Sequence, residues 1–154
     1  MLILKQTLPV IVALSIMVSG CASVNLVPAE EMAQAKSFDT PKGNLSGLYV
    51  YRDSSFGSTL KKDIWVNGEC LGESAPHVFF FTEVPSGEQK ISTESEFSPN
   101  PLLITTEPGK NYFIRQYIKL GVFVGGANLE QVSEQKGRAA VAKLKMAAPG
   151  QCSK

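Results

Sequence analysis

Asp63-Ile64-Trp65-Val66-Asn67-Gly68-Glu69-Cys70-Leu71-Gly72 is the stretch that decides the fold class of this chain. Its centre is Asn67-Gly68, which lies between two short strand-like segments. Asparagine and glycine both tolerate a positive φ, and a type I′ turn requires a positive φ at each of its two central positions. The stretch therefore predicts a tight β-hairpin.

More strand-like segments lie on both sides of this hairpin. They cover residues 48–52, 77–84, 89–94, 101–106, 111–120 and 121–129. Strands that recur about every ten residues and are joined by turns are typical of an antiparallel sandwich or barrel. We therefore expect a mainly β domain.

Two helices are predicted to flank the strands. Pro28 suits the first position of a short helix that ends at Lys36. The second helix is predicted from Ser133, a suitable N-cap, to Met146. The sequence thus places one helix on each side of the strand region.

The apolar run Leu8–Val18 precedes all of these elements. It is too short to span a bilayer, which needs about 20 apolar residues. It matches the apolar region of a secretory signal that has Lys5 as its only charge. Val18-Ser19-Gly20-Cys21 follows and resembles the lipobox that bacterial lipoprotein signal peptidase cleaves. In an ordinary secretory signal, Cys21 would instead be an unmodified thiol.

The lipobox resemblance implies that Cys21 becomes the mature N-terminus and is acylated on its sulfur and its amine. It also implies attachment to a lipid bilayer through acylated Cys21. In enteric-type bacteria an aspartate directly after the cysteine retains a lipoprotein in the inner membrane, and this chain has Ala22 there. The expected location is the outer membrane, with the domain facing the periplasm or the cell surface.

These features divide the chain into four segments. The expected divisions are a lipoprotein signal peptide at 1–20, a lipidated tether with a short helix at 21–37, a β-sandwich domain with its closing helix at 38–148, and a C-terminal tail at 149–154.

Composition narrows the set of partners. Without residues 1–20 the chain has 14 basic and 14 acidic side chains, because Lys5 is the only charge removed. A neutral domain without a basic patch gives no reason to expect a nucleic-acid partner. The chain has one histidine and no paired metal-ligand spacing, so neither a metal site nor a cofactor is expected.

Cys70 and Cys152 remain after acylation of Cys21. Two cysteines in an oxidising compartment favour a disulfide, which would enclose 81 residues. The alternative is two unpaired thiols, since Cys152 lies close to the C-terminus.

Several motifs in the strand region together resemble a known family. They are Tyr49-Val50-Tyr51-Arg52, Ile64-Trp65-Val66-Asn67-Gly68, Val84-Pro85-Ser86-Gly87 and Pro108-Gly109-Lys110-Asn111-Tyr112-Phe113-Ile114-Arg115-Gln116. Over about residues 37–146 the chain resembles a bacterial lipoprotein family, domain of unknown function 2846. Its middle section is also similar to PEGA-type surface modules. Both resemblances imply a transthyretin-like β-sandwich, and neither implies an activity.

Candidates for chemistry are few. His77 is the only imidazole, and no GxSxG pattern surrounds a nearby serine, so no catalytic residue is predicted. Arg52 and Arg115 each lie in a strand-like segment. They could form structural pairs at a sheet edge, or they could bind an anion.

Phe79-Phe80-Phe81 is the main sequence feature that suggests a binding surface. In a strand, Phe80 faces one side while Phe79 and Phe81 face the other, so both faces need a cover. The C-terminal helix could provide it through Val141 and Leu144. Otherwise Trp65, Phe79 and Phe81 would form an aromatic surface for an envelope protein or a glycan.

The expected function is an outer-membrane-anchored lipoprotein that acts as a non-catalytic interaction or envelope-structural module. The alternative is a binding module for a glycan or a small envelope ligand, and an enzyme is the third possibility. A ligand module needs a concave aromatic pocket, whereas an interaction module needs a flat patch or a free sheet edge.

Overall fold

A computed structural model describes residues 20–95, 97 and 100–153. Within these residues the chain forms two short helices and nine strands. They are α1 (Ala29–Ala35), β1 (Leu45–Arg52), β2 (Lys62–Val66), β3 (Glu69–Ser74), β4 (Val78–Pro85), β5 (Gly87–Thr93), β6 (Leu102–Thr106), β7 (Asn111–Lys119), β8 (Gly126–Val132), α2 (Glu134–Val141) and β9 (Lys145–Met146).

The strands build two sheets that pack face to face. The five-stranded sheet has the order β8-β7-β1-β4-β9, and the four-stranded sheet has the order β3-β2-β5-β6. Their facing sides bury one apolar core, whose largest members include Leu48, Ile64, Phe80, Ile91 and Ile114. The expected mainly β sandwich is confirmed.

Strand pairing in the five-stranded sheet is mixed rather than purely antiparallel. β1 is antiparallel to β4 on one side and parallel to β7 on the other. Parallel neighbours need a long crossover connection. The chain provides one, because it passes through both hairpins of the four-stranded sheet between β1 and β7.

The predicted hairpin is present. β2 and β3 pair around Asn67 and Gly68, whose φ angles are 52° and 85°. Both angles lie in the left-handed region that a type I′ turn requires.

The outer face of the five-stranded sheet is covered by the helices. A second apolar cluster there includes Tyr49, Phe79 and Phe113 from the sheet and Ala35 and Val141 from the helices. Phe80 points the other way, into the core between the sheets. The prediction that the C-terminal helix region covers the second face of this strand, through Val141 and Leu144, is confirmed, and α1 adds to the cover.

The C-terminal helix is shorter than predicted. Ser133 caps α2 as expected, since its hydroxyl accepts a hydrogen bond from Lys136 N at 3.3 Å. The helix ends at Val141, and Lys145–Met146 becomes β9 instead of a last helical turn. The reason is the open edge of β4, because the carbonyl oxygens of Phe79 and of His77, which directly precedes β4, accept hydrogen bonds from the backbone that follows α2.

The predicted strand over 121–129 begins only at Gly126. Residues 120–125 form a loop in which Leu120, Val122, Phe123 and Val124 are exposed.

Candidate functional site

Cys21, the predicted acylation site, is an exposed cysteine with a free thiol. The next residue is fixed to the domain, because Ala22 N donates to Ser58 O at 2.8 Å. Further along, Val27 N donates to Met146 O at 3.1 Å, and Leu26 pairs with Ala147. The segment expected to be a tether is therefore bound to the body of the domain.

The predicted signal peptide lies outside the described residues, apart from Gly20. No helix in the described part of the chain is long and apolar enough to cross a bilayer.

The predicted disulfide between Cys70 and Cys152 is confirmed, with 5.9 Å between the two Cα atoms. It joins the four-stranded sheet to the C-terminal segment. Ser153 adds two hydrogen bonds there, from its amide and its hydroxyl to Asp63 Oδ2, at 2.9 and 3.1 Å. Since Asp63 is buried, this carboxylate holds the C-terminal segment from inside the sheet.

The predicted aromatic surface of Trp65, Phe79 and Phe81 is wrong as one surface. Phe79 is fully buried beneath the helices. Trp65 is half-buried and alternates with Ile64 and Val66, which face the core, so it lies on the outer side of the other sheet. The strand alternation separates Trp65 from Phe79 and Phe81 by the full thickness of the sandwich.

Phe81 nevertheless lines a concave feature of the helix-covered face. A groove of about 520 Å³ opens between α1, the segment after it and β4. It is lined by Glu31, Gln34, Ala35, Asp39, Thr40, Lys42, Tyr49, Phe81, Thr82, Glu83 and Met146. We call this feature the α1–β4 groove.

The aromatic part of the α1–β4 groove is rigidly built. The rings of Tyr49 and Phe81 have centroids 4.6 Å apart, and Tyr49 stacks on Phe113 at 4.8 Å. The Tyr49 hydroxyl donates to Ala35 O at 2.8 Å, which ties the sheet to α1. Burial raises the pKa of the Tyr49 phenol well above its usual value, so this group stays neutral.

Charge in the α1–β4 groove is mainly negative. Three carboxylates, Glu31, Asp39 and Glu83, line it together with one ammonium group, Lys42. An aromatic base with an acidic rim suits a neutral polar or cationic ligand better than an anion.

In the sequence, Tyr49 stands out only as part of a strand motif, and its place in the groove is not evident there. Its role depends on the strand register, which sets Tyr49 opposite Phe81 on one neighbour and opposite Phe113 on the other. The sequence signal was an aromatic residue in each of three predicted strands, but only the order of the strands makes them neighbours.

Both arginines have structural partners, as expected, but they lie on the interior strands β1 and β7 rather than at a sheet edge. Buried Arg52 donates to the carbonyl oxygens of Leu60 and Gly57 at 2.7 Å each and to Phe56 O at 3.2 Å. Burial lowers the pKa of Arg52 from its usual value. Arg115 pairs with Asp53 at 2.8 Å and with Glu130 at 3.1 Å, and its hydrogen bond to Asp53 raises its pKa.

The His77 ring has one hydrogen-bond partner among the described residues. Its Nε2 lies 2.7 Å from Ser55 Oγ, and both residues are exposed. Among the described residues no carboxylate bonds to the His77 ring, so a Ser-His-Asp triad is not assembled there. The described residues also contain no cluster of three or more groups that could hold a metal ion.

Comparison with known proteins gives two similarities. Residues 42–127 match the family described as "Protein of unknown function (DUF2846)". The chain is also 56% identical over 137 residues to an uncharacterized protein of Haemophilus influenzae. The aligned region covers 89% of this chain and 82% of that protein. No solved structure matches the chain.

Proposed function

The chain belongs to the DUF2846 family of proteins of unknown function, and we propose that it is an outer-membrane lipoprotein whose single domain serves as a non-catalytic interaction or structural module of the cell envelope. Acylated Cys21 would attach the domain to the bilayer. The α1–β4 groove and the sheet surfaces would then face the periplasm or the exterior.

The observation that carries this proposal is the position of Cys21. The residue ends a lipobox-like sequence, is exposed, and is followed directly by a residue hydrogen-bonded to the folded domain. Acyl chains on an exposed cysteine can enter a bilayer without disturbing the fold. Because several acyl chains give stable attachment where one gives only marginal binding, no membrane-spanning helix is needed.

The disulfide supports the same compartment. Bonds such as Cys70–Cys152 persist in the periplasm and at cell surfaces and are rare in reducing cytosol. The non-catalytic part of the proposal is supported by the His77 ring, which among the described residues bonds to an exposed serine and to no carboxylate.

Two single changes test the anchor and its destination separately. Cys21→Ser should abolish acylation, so the protein should no longer fractionate with either membrane as the processed form. Ala22→Asp should keep the acyl chains but move the protein from the outer-membrane to the inner-membrane fraction of an enteric-type host. Ala22 bonds to Ser58 through its backbone amide, so the same hydrogen bond can form in the Ala22→Asp protein.

Density-gradient fractionation with labelled fatty acid reads out both variants. Ala22→Ser is the matched control and should stay in the outer membrane. Incorporation of labelled fatty acid into the Cys21→Ser protein would contradict the proposed anchor. An Ala22→Asp protein that stays in the outer membrane would contradict the proposed destination.

A second function, binding of an uncharged glycan, is favoured by the α1–β4 groove. The half-buried ring of Phe81, which packs on the buried ring of Tyr49, provides an aromatic base, and the polar groups of Gln34 and Thr40 line the same space. Sugars commonly stack on aromatic rings while polar groups fix their orientation.

The test is titration with β-1,4-linked N-acetylglucosamine oligomers followed by backbone NMR. Shifts should cluster at Tyr49, Phe81 and Glu83, should be lost in Phe81→Ala, and should persist in Trp65→Ala. Shifts that avoid the groove in the native protein would contradict glycan binding there.

A further inference from the structure

Exposed apolar side chains are concentrated at one end of the sandwich. In the part of the chain that the structure describes, eight large apolar residues are exposed, and six of them lie on three loops. These six are Phe56, Phe97, Leu120, Val122, Phe123 and Val124. We call them the apolar tip.

The strand directions bring the three loops together. β1 and β7 are parallel, so the loops that follow Arg52 and Lys119 leave the sheet at the same end. The loop after β5 joins them, because Glu94 O accepts a hydrogen bond from Ala127 N at 2.9 Å, at the start of β8.

The first and third loops also touch each other. A Cβ atom added to Gly57 would lie 2.9 Å from Ile118 Cγ2, and one added to Gly125 would lie 2.6 Å from Leu60 Cδ1. Buried Arg52 fixes the first loop through its three carbonyl hydrogen bonds. The base of the apolar tip is therefore a packed structure.

Cys21 lies at this same end. Ala22 N is bonded to Ser58 O, and Ser58 follows Gly57, which contacts Ile118. Leu120 is only two residues beyond Ile118, and two residues of chain span at most about 7 Å. The attachment point for the acyl chains and the most exposed apolar side chains thus share one end of the domain.

We propose that the apolar tip enters the interfacial layer of the same bilayer leaflet that holds the acyl chains of Cys21, and so fixes the orientation of the domain on the membrane. This inference rests on the proposed acylation. The occupant of the tip is a phospholipid surface, with apolar side chains among the upper acyl segments and the ammonium group of exposed Lys119 at the phosphate level.

The composition of the tip favours lipid over a protein partner. Leu120, Val122, Phe123 and Val124 are 86%, 76%, 84% and 57% exposed, and Leu120–Val124 contains no charged or hydrogen-bonding side chain. Protein interfaces surround an apolar centre with a polar rim that supplies about one hydrogen bond per 100–200 Å². A bilayer buries apolar side chains without requiring a specific hydrogen-bonding partner, so an all-apolar loop suits a bilayer.

This orientation also places the α1–β4 groove away from the membrane. Glu83 lies near the end of β4 that is opposite to the tip, and Thr40 lies beside Gly109 in the turn before β7. A domain seated on its tip would therefore present the groove to the aqueous compartment.

The test compares two Leu→Trp changes in the full chain. Leu120 at the tip and Leu103 on β6 are exposed to similar extents, 86% and 71%, but Leu103 pairs with Lys90, three residues or about 10 Å back from the tip-side end of β5 at Thr93. Each change is made together with Trp65→Phe, which leaves one tryptophan per protein. Processed protein is extracted from its membrane and reconstituted in phosphatidylethanolamine–phosphatidylglycerol vesicles with brominated acyl chains.

The Leu120→Trp protein should float with the vesicles and lose about half or more of its emission to bromine quenching, whereas the floating Leu103→Trp protein should lose almost none. Flotation with equal or absent quenching in both proteins would overturn the tip insertion and leave the anchor intact. Failure of both proteins to float would overturn the anchor, and the tip insertion with it.

Discussion

Tyr49 and Tyr51 both point from β1 into the helix-covered layer, but their hydroxyl groups have different surroundings. Tyr49 donates to Ala35 O at 2.8 Å, whereas the buried hydroxyl of Tyr51 has no hydrogen-bond partner among the described residues. Tyr49→Phe should lower the free energy of unfolding by about 0.5–1.5 kcal/mol. Tyr51→Phe should leave it unchanged or raise it, because it removes an unpaired buried polar atom. Urea denaturation measures both, and equal losses would contradict the assigned partners.

Burial of the same two phenols sets an alkaline limit to stability. Desolvation raises the pKa of Tyr49 and of Tyr51 above the ordinary value of 10.0. Above that pH the unfolded chain loses phenolic protons that the folded chain keeps, so stability falls as pH rises further. Below it both states hold the protons and the contribution is constant. Tyr49→Phe should flatten the loss measured by urea unfolding between about pH 9 and 11, whereas an unchanged slope would contradict burial of this phenol.

At the residue scale, the sequence shows which side chains have distinctive chemistry, but it shows less well which side chains they contact in the fold. Cys70 and Cys152 could be paired from their number and compartment alone. The prediction of one surface from Trp65, Phe79 and Phe81 was wrong. Residue spacing shows which side chains share a face of one strand, but it does not show how the faces of different sheets are arranged. Tyr49 was missed as a groove residue for the same reason.

At the element scale, α2 lies unusually close to β7. A Cβ atom added to Gly137 would lie 2.2 Å from Phe113 Cγ. Gly→Ala in a helix ordinarily stabilises by about 1 kcal/mol. Here Gly137→Ala should instead destabilise the domain by about 1–3 kcal/mol, because the helix must move off the Phe113 ring. Thermal unfolding checks this, with exposed Lys136→Ala as the control that stays within about 0.5 kcal/mol; a more stable Gly137→Ala protein would contradict the close packing.

Elements with a strong local sequence signal were predictable, whereas elements that form by pairing with the open edge of another strand were not. Asn67-Gly68 fixes its own hairpin, and Ser133 fixes the start of α2, because both effects act within four residues. Lys145–Met146 has no strand signal of its own and becomes β9 because it pairs with the open edge of β4. The mixed pairing of β1 likewise depends on where the chain returns after the four-stranded sheet.

At the scale of the whole molecule, the disulfide closes a loop of 81 residues between Cys70 and Cys152. Chain-entropy reasoning gives such a closure roughly 4.5 kcal/mol. Replacing both cysteines with alanine should therefore lower the free energy of unfolding by about 3–5 kcal/mol, as measured in guanidinium chloride. Cys21→Ala is the matched control and should leave the unfolding midpoint unchanged. A midpoint that does not move in the double variant would contradict a stabilising bridge.

The domain has a proposed lipid attachment and an apolar tip at one end and a polar-rimmed groove towards the other. The proposed membrane attachment and the proposed orientation of the domain both depend on Cys21. The most direct measurement is the intact mass and N-terminal peptide of the protein purified from its own membrane. The account predicts a chain that starts at Cys21 and has the added mass of a diacylglyceryl group and an amide-linked acyl chain. A mature protein that retains residues before Cys21, or one that starts at Cys21 with no lipid mass, would contradict it.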